Sequence, residues 1–431
     1  MKHTRRIPPS LSVLVPLLLL LLLASCAKGQ PSETAAPADT TAPTETSAPA
    51  ETEPAEPGPG QENRDFLDDY LKIEPAGEHD AKCLFLSLGK ADAILVSVDR
   101  TVWLIDTGTT ISPPLITAGL KDLGADSLAG IFITHTDADH IGGLETLLSV
   151  VDVPAVYTSS ITADWNKIES LRGDTERVAL DPGAVVPAAD GVWFEVLGPY
   201  RYNPRDDNNS LVLRLRVNGS TVIFAGDMMK AEENTLLSAG LDLSCDLLKV
   251  GHHGKKDASS DAFLAAAAPQ YAVITADRSD EDDSAHKSVL KALKKVGAVT
   301  VVTDEVKFGI LATLLPDGKI TIGEQKPAKA PASVALSSVS KEDQLAVLKN
   351  TGSTDVDLSG WWLISEIGKE LFRFPDGTVL SAGAELSVGC LDYEGTPDLR
   401  WNEGKVWHKS KEDIAALIDC WGNTVSELPS A

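Results

Sequence analysis

Short apolar or β-branched runs bounded by turn residues recur along much of the chain, with stretches of helical spacing between them. Residues 83–88, 93–98, 101–105 and 130–134 are predicted strands, and so are 192–197, 210–217, 221–225, 247–250 and 271–275. Helices are predicted over 114–123, 143–150, 229–239, 257–267 and 286–296. Strands first, helices between and a second strand series later predict an α/β domain of two sheets covered by helices. A Lys/Pro/Ala-rich break at 326–332 follows, and beyond it the pattern is strands and turns with little helical periodicity.

The beginning of the chain reads differently. Lys2, Arg5 and Arg6 precede an apolar run over 11–23 that is shorter than the roughly 20 residues of a membrane-spanning helix. This is the pattern of an export signal. It ends in Leu23-Ala24-Ser25-Cys26, which resembles the lipobox of bacterial lipoproteins, and that resemblance implies lipid on Cys26 and a place on the outer face of a bacterial membrane. Residues 27–64, mostly Ala, Pro, Thr and Glu, cannot bury enough apolar surface to order themselves and are predicted to be a tether. The expected organisation is a signal peptide over 1–26, the tether over 27–64, an α/β domain over 65–324, a linker over 325–332 and an all-β domain over 333–431.

Composition narrows the function classes. With 63 acidic and 38 basic residues the net charge is −25, which argues against a broad basic face for nucleic acid but leaves room for a local cleft. Five cysteines are too few for a disulfide scaffold. Cys390 and Cys420 are a candidate pair outside the cell, whereas Cys83 and Cys245, on or near apolar strands, read as core thiols.

The chemistry is concentrated at strand ends. His135-Thr136-Asp137-Ala138-Asp139-His140 follows the apolar strand 130–134 directly, and imidazole and carboxylate are the ligands that proteins offer divalent metals. Leu104-Ile105-Asp106-Thr107-Gly108, Phe224-Ala225-Gly226-Asp227 and Val250-Gly251-His252-His253-Gly254 end three further strands in the same way. An aspartate after a strand is often a turn cap. Four such ends together form a candidate two-metal constellation.

In this order the motifs resemble the metallo-β-lactamase superfamily, a four-layer αββα sandwich with its metal site at one edge of the sheets. The closer resemblance is to the soluble domain of the ComEC competence proteins, through Phe85 to Leu95, Leu104 to Gly108, Thr134 to Gly143, Asn208 to Leu213, Gly226-Asp227, Leu248 to Gly254 and His286 to Leu293. It implies that His135 and Asp137 hold a first metal, that Asp139, His140 and His253 or His252 hold a second, and that Asp227 bridges them. Asp106 would orient a histidine ligand. The superfamily's middle histidine is Asp137 here, and its third first-site histidine is replaced by Asn208 or Asn209, as in the ComEC-like branch. Zinc is the first expectation, with manganese or magnesium at the oxygen-richer first site.

The same resemblance implies a nuclease or other phosphodiesterase acting through metal-activated hydroxide, with DNA as a possible substrate. Asp139 is a candidate proton acceptor. Asn208, Asn209 and Lys256 are candidate donors to an oxyanion or phosphate, and His286 could contact substrate or protonate a leaving group. Lys256 has an equally ordinary reading as a solvated loop lysine, and His286 as a helix-start histidine. A lactone, thioester or other ester substrate is the alternative, and a surface scaffold with a vestigial metal site is the rival from outside enzymology.

Residues 333–428 resemble the lamin-tail domain, an immunoglobulin-like β-sandwich, through Leu348 to Gly352, Val356 to Leu363, Phe374 to Leu380 and Asp419 to Gly422. Trp361, Trp362, Trp401, Trp407 and Trp421 are expected mainly to pack its core. Its ligand on a cell surface, and the oligomeric state, are not specified by the sequence.

Overall fold

The computed structural model describes residues 77–431 apart from 163, 172–173, 280–282 and 330–332. The expected signal peptide, Cys26 and the tether lie outside the described residues.

The first sheet begins with β1 (Ala81–Leu86), β2 (Ile94–Val98), β3 (Thr101–Ile105), β4 (Gly130–Ile133), β5 (Ala155–Ser159) and β6 (Glu176–Leu180). The second contains β7 (Val185–Ala189), β8 (Val192–Gly198), β9 (Val212–Val217), β10 (Ser220–Phe224), β11 (Leu247–Lys249), β12 (Tyr271–Ile274) and β13 (Val299–Val302). A hairpin of β14 (Gly309–Leu314) and β15 (Ile320–Gln325) returns to the first sheet beside β1. The resulting orders are β15-β14-β1-β2-β3-β4-β5-β6 and β13-β12-β11-β10-β9-β8-β7. Helices α1 (Pro113–Asp122), α2 (Ala138–Ile141), α3 (Leu144–Val150), α4 (Trp165–Glu169), α5 (Lys230–Ser238), α6 (Asp261–Ala267) and α7 (Lys287–Val296) lie in the connections.

Side-chain alternation makes this a four-layer sandwich. Successive residues of a strand face opposite sides. Cys83 and Phe85 of β1, Phe132 of β4 and Val222 and Phe224 of β10 enter one core between the sheets, where Trp103 and Phe132 stack with centroids 5.4 Å apart. Their neighbours face outward: Leu84 and Ile131 pack with Ile116 and Leu120 of α1, and Ile223 packs with Leu236, Phe263 and Leu293 of α5, α6 and α7. Strands buried on both faces explain the nearly unbroken apolar runs.

Beyond residue 332, strands Val334–Ser340, Leu345–Asn350, Glu385–Gly389 and Leu399–Arg400 form one sheet, and Leu371–Arg373, Trp362–Ser365, Ile414–Ile418 and Thr424–Pro429 another. Trp361, Trp401 and Trp407 fill the core between them. Trp362 departs from that expectation. It faces the α/β domain, with Ile364, Ala416 and Ile418 beside it, and its indole N–H donates to Thr117 Oγ1 of α1 at 3.3 Å. Trp421 lies under the Lys121 ammonium, 4.8 Å from the ring centroid. The candidate Cys390–Cys420 disulfide is not formed: all four described cysteines are free thiols, with Cys83 and Cys245 buried as expected.

Candidate metal centre

Four of the parallel strands deliver the site. β3, β4, β10 and β11 all run toward the same edge of the sandwich, where the chain leaves each sheet through a polar turn. Asp106 leaves β3 with φ of 59°, in the left-handed region that a non-glycine residue enters at a cost. Its Oδ1 accepts from Thr134 N at 2.7 Å, and its Oδ2 accepts from Thr134 Oγ1 at 2.7 Å and from His140 Nδ1 at 2.8 Å. That bond directs His140 Nε2 into the site. The sequence around 135–140 turns immediately into α2, which brings His135, Asp137, Asp139 and His140 to one place.

Two consecutive histidines after β11 adopt left-handed conformations, His252 with φ of 48° and His253 with φ of 51°. The double turn brings both rings to the site. His253 Nδ1 donates to Thr275 O at 2.9 Å, and its Nε2 lies 3.2 Å from Asp227 Oδ2 and 3.6 Å from Asp139 Oδ2. His252 Nδ1 donates to Asp257 Oδ1 at 2.8 Å, and its Nε2 lies 3.7 Å from Asp207 Oδ1 and 3.9 Å from Asp227 Oδ2. Asp227 follows Gly226, whose φ is +50° and where a Cβ would sit 2.9 Å from Thr134 Cβ. Only glycine lets Asp227 approach this closely.

The donor atoms fall into overlapping groups. Asp139, His140 and His253 offer ligand atoms within 4.8 Å of one another, as do His135, His140 and Asp227, and His135, Asp137 and Asp207. His135 Nε2, His140 Nε2, His253 Nε2 and Asp227 Oδ1 are buried and have no hydrogen-bond partner among the described residues. Buried polar atoms are ordinarily paired. Four orphaned ligand atoms distributed over these overlapping groups fit divalent ions, and the histidine-carboxylate donor set fits them chemically.

The electrostatics agree. Burial pushes the Asp227 carboxyl up, but His253 and His140 outweigh it and hold it well below the usual range. Burial pulls His140 down, yet Asp227 and Asp106 lift it well above the ordinary imidazole value. Asp139 is raised by burial and lowered by His140 and Lys90, settling at about 2. A cage that stabilises positive charge this strongly attracts cations.

Four of the expected residues are engaged elsewhere in this structure, His286 and Lys256 in the ordinary way that the sequence also allowed. Asn209 is buried, but its amide is committed to its own loop: Nδ2 donates to Asn203 O at 2.9 Å and Asp206 Oδ1 at 3.0 Å, and Oδ1 accepts from Asn203 N at 2.7 Å. Asn208 Oδ1 accepts from Glu232 N at 3.3 Å. Their neighbour Asp207 is the residue grouped with His135 and Asp137. His286 caps the helix it starts, its Nδ1 accepting from Ser288 N at 3.2 Å. Lys256 is exposed and paired with Asp283 at 3.6 Å.

Four residues were missed. Asp92 and Lys249 form a fully buried ion pair beneath the ligands, with Lys249 Nζ 3.9 Å from Asp227 Oδ1 and Asp92 Oδ1 3.6 Å from His253 Nδ1. Lys90 donates to Asp139 Oδ2 at 2.9 Å. Asp207 is the fourth. A lysine inside the apolar run Leu247-Leu248-Lys249-Val250 was the available signal, since lysine is almost never fully buried unless paired.

Comparison with known proteins agrees with this architecture. Residues 87–276 match the Metallo-beta-lactamase superfamily and residues 316–429 the Lamin Tail Domain, the second match starting just before β15 of the first sheet. The ComE operon protein 3 of Bacillus subtilis is 29% identical over 267 residues, covering 54% of this chain and 33% of that protein. The competence protein ComA of Neisseria gonorrhoeae is 28% identical over 244 residues, covering 55% of this chain and 33% of that protein. An exodeoxyribonuclease, YycJ of Bacillus anthracis, is 28% identical over 129 residues, covering 28% of this chain and 48% of that protein. The chain thus spans about a third of the length of the competence relatives. Sandwich, strand-end ligands and matches together identify a metallo-beta-lactamase superfamily domain followed by a lamin tail domain, the first of them similar to the ComEC-like competence proteins.

Proposed function

We propose that the chain is a two-metal phosphodiesterase acting on nucleic acid, exported and held at the outer face of a bacterial membrane by lipid on Cys26. The observation that carries the catalytic reading is the convergence of His135 Nε2, His140 Nε2, His253 Nε2 and Asp227 Oδ1, buried and unpaired, among the carboxylates of Asp137, Asp139 and Asp207. The similarity to competence proteins and to an exodeoxyribonuclease supports a phosphodiester substrate.

His135, Asp137 and Asp207, with His252 facing them, would hold the first ion, and Asp139, His140 and His253 the second, with Asp227 between. Zinc suits the second position, whereas the oxygen-rich first position also suits manganese or magnesium. When bound, such ions supply Lewis acidity and lower the pKa of water. The chain's own residues do the rest. Asp106, Asp257 and Thr275 fix the ring orientations of His140, His252 and His253. Asp139, at the mouth of the site, is placed to receive a proton from the attacking water. Asp92 and Lys249 close the floor against solvent.

A non-nucleic-acid ester is the second reading, and one observation favours it. The cations around the mouth are matched by carboxylates: Arg205 lies 3.3 Å from Asp257, Lys167 3.7 Å from Asp164 and Lys256 3.6 Å from Asp283. Such pairs leave little net charge to track a phosphate backbone.

Metal analysis of the purified chain, followed by assays on single- and double-stranded DNA, an aryl phosphodiester and carboxylic esters with Zn²⁺ or Mn²⁺, tests the proposal. Wild type should cleave phosphodiesters, and Asp139→Ala and His253→Ala should not. A protein that binds no metal would overturn both readings, and one that cleaves only carboxylic esters would establish the second. Metabolic labelling with a fatty acid, lost in Cys26→Ser, tests the anchor.

A further inference from the structure

The rim of the centre carries a charge that neither the fold nor the proposed chemistry requires. Lys90 lies in the turn between β1 and β2, and its Nζ donates to Asp139 Oδ2 at 2.9 Å. The lysine side chain is 23% exposed and the aspartate 20%, so the pair is only partly screened by water. The same oxygen is 3.6 Å from His253 Nε2. The backbone holds this arrangement in place: Asp92 N donates to Asp139 O at 3.1 Å, and Gly108 N donates to Asp92 O at 2.7 Å. The turn that carries Lys90 is therefore bonded to the loop that carries Asp139.

Lys249 offers a useful contrast. It is fully buried on the floor and held by Asp92, which is grouped with Asp227 and His253 and with Asp106 and His140 but stands outside the Asp139, His140 and His253 group of the second position. Lys90 instead holds Asp139, a member of that group, from the rim. Its ammonium acts on the second position in two opposing ways. It fixes the Asp139 carboxylate, which favours ion binding, and it places a positive charge beside the ion, which opposes it. Orientation by an outer partner typically changes metal affinity by about 10- to 100-fold. Repulsion between a unit charge and a divalent ion a few ångströms apart at a partly screened site is the larger effect, because it scales with both charges.

We infer that Lys90 is a built-in competitor at the second position, so that the protein takes up its two ions in sequence and completes its centre only at higher ion concentration. The inference rests on the ligand assignment proposed above. Activity would then follow the supply of free divalent ion outside the cell rather than saturating at trace levels.

Calorimetric titration of the metal-stripped full chain with Mn²⁺ and with Zn²⁺ tests this without any substrate. Wild type should show two binding steps separated by at least about tenfold in Kd. Lys90→Gln keeps a donor to Asp139 and removes the charge, so its second step should tighten by about tenfold or more, with the first step unmoved. Lys90→Arg should behave as wild type, and Lys256→Gln, an exposed lysine outside the cage, should also be silent. Lys90→Met is the second neutral variant should the glutamine perturb the turn. An unchanged or weaker second step in both neutral variants overturns the inference while leaving the two-metal reading intact, and so does equal tightening in Lys256→Gln. Failure of wild type to bind any ion overturns the ligand assignment, and the inference with it.

Discussion

The two described domains bury polar side chains in opposite ways. In the lamin tail domain three buried amides and carboxylates, Gln344, Asp413 and Asn350, close on themselves, and the unpartnered atoms Trp407 Nε1 and Glu370 Oε2 are scattered rather than grouped with other ligand atoms. Gln344 Oε1 accepts from Val406 N at 2.7 Å and Trp407 N at 3.0 Å, while its Nε2 donates to Lys341 O and Trp407 O. Asp413 accepts from His408 N, Ile367 N and Ser365 Oγ. Asn350 spans Thr354 O, Leu380 O and Gly352 N in the same manner. In the hydrolase domain, three histidines and Asp227 are held firmly on one side and left open on the other. A closed network specifies a core. An open one, with its outer atoms already oriented, specifies a ligand. Burial alone therefore does not mark a site; several unspent ligand atoms within reach of one another do.

This contrast can be broken at either end. The largest effect is expected at the open network: Asp227→Asn should lose at least one bound ion by elemental analysis and lower kcat/KM by about 10³-fold or more, with little change in fold by circular dichroism. Retention of both ions would show that Asp227 is structural. Gln344→Ala strands two N–H donors and two carbonyls and should cost about 3 kcal/mol of stability in denaturant titration, while metal content stays at the wild-type value. If metal content fell too, the two networks would not be independent. Asp106→Asn keeps the shape of the turn but removes the anionic acceptor of His140, and a loss of about 10- to 100-fold in metal affinity is expected.

The smallest effect comes from a carboxylate that is buried but serves no cage. Burial pushes Glu232 up to about 7 from its ordinary 4.5, against the hydrogen bond from Tyr200 N. A folded value above the unfolded one means that its contribution is fully present below about pH 4.5 and is lost as pH rises toward 7. Glu232→Gln should therefore raise the thermal midpoint at pH 8 and leave it unchanged at pH 4.5. A rise of equal size at both values would mean that packing, not charge, sets the difference.

The legible part of the molecule was local. His135 to His140, Gly226-Asp227 and His252-His253 could be found because each motif sits directly after an apolar strand, where a polar residue needs a reason. Strands β5, β6, β7, β13, β14 and β15 were passed over; β6, β7, β13 and β15 are the four edge strands of the two sheets, where mixed burial weakens the apolar pattern. The helix expected over 257–267 starts at Asp261, because the double histidine turn runs on through Lys255 and Ser260 caps the helix. What stayed hidden was pairwise. Asp92 and Lys249 are 157 positions apart, and only closure of the two sheets shows that each neutralises the other. That His252 and His253 both face the site was hidden for a different reason: alternating or helical geometry would send neighbouring side chains apart, and two consecutive left-handed residues do not.

The ligands also come from both halves of the sandwich. His135 and His140 hang from β4 of the first sheet, and Asp227 and His253 from β10 and β11 of the second. Ions held among them would stitch one sheet to the other along the edge where the apolar core runs out. Occupancy would then act as a mechanical fastening as well as a chemical one, and a chelator would loosen the protein itself. By mass action, ion present at about 100 times its dissociation constant adds roughly 2.7 kcal/mol to the folded state. The protein would then be sturdiest in the same conditions that arm it.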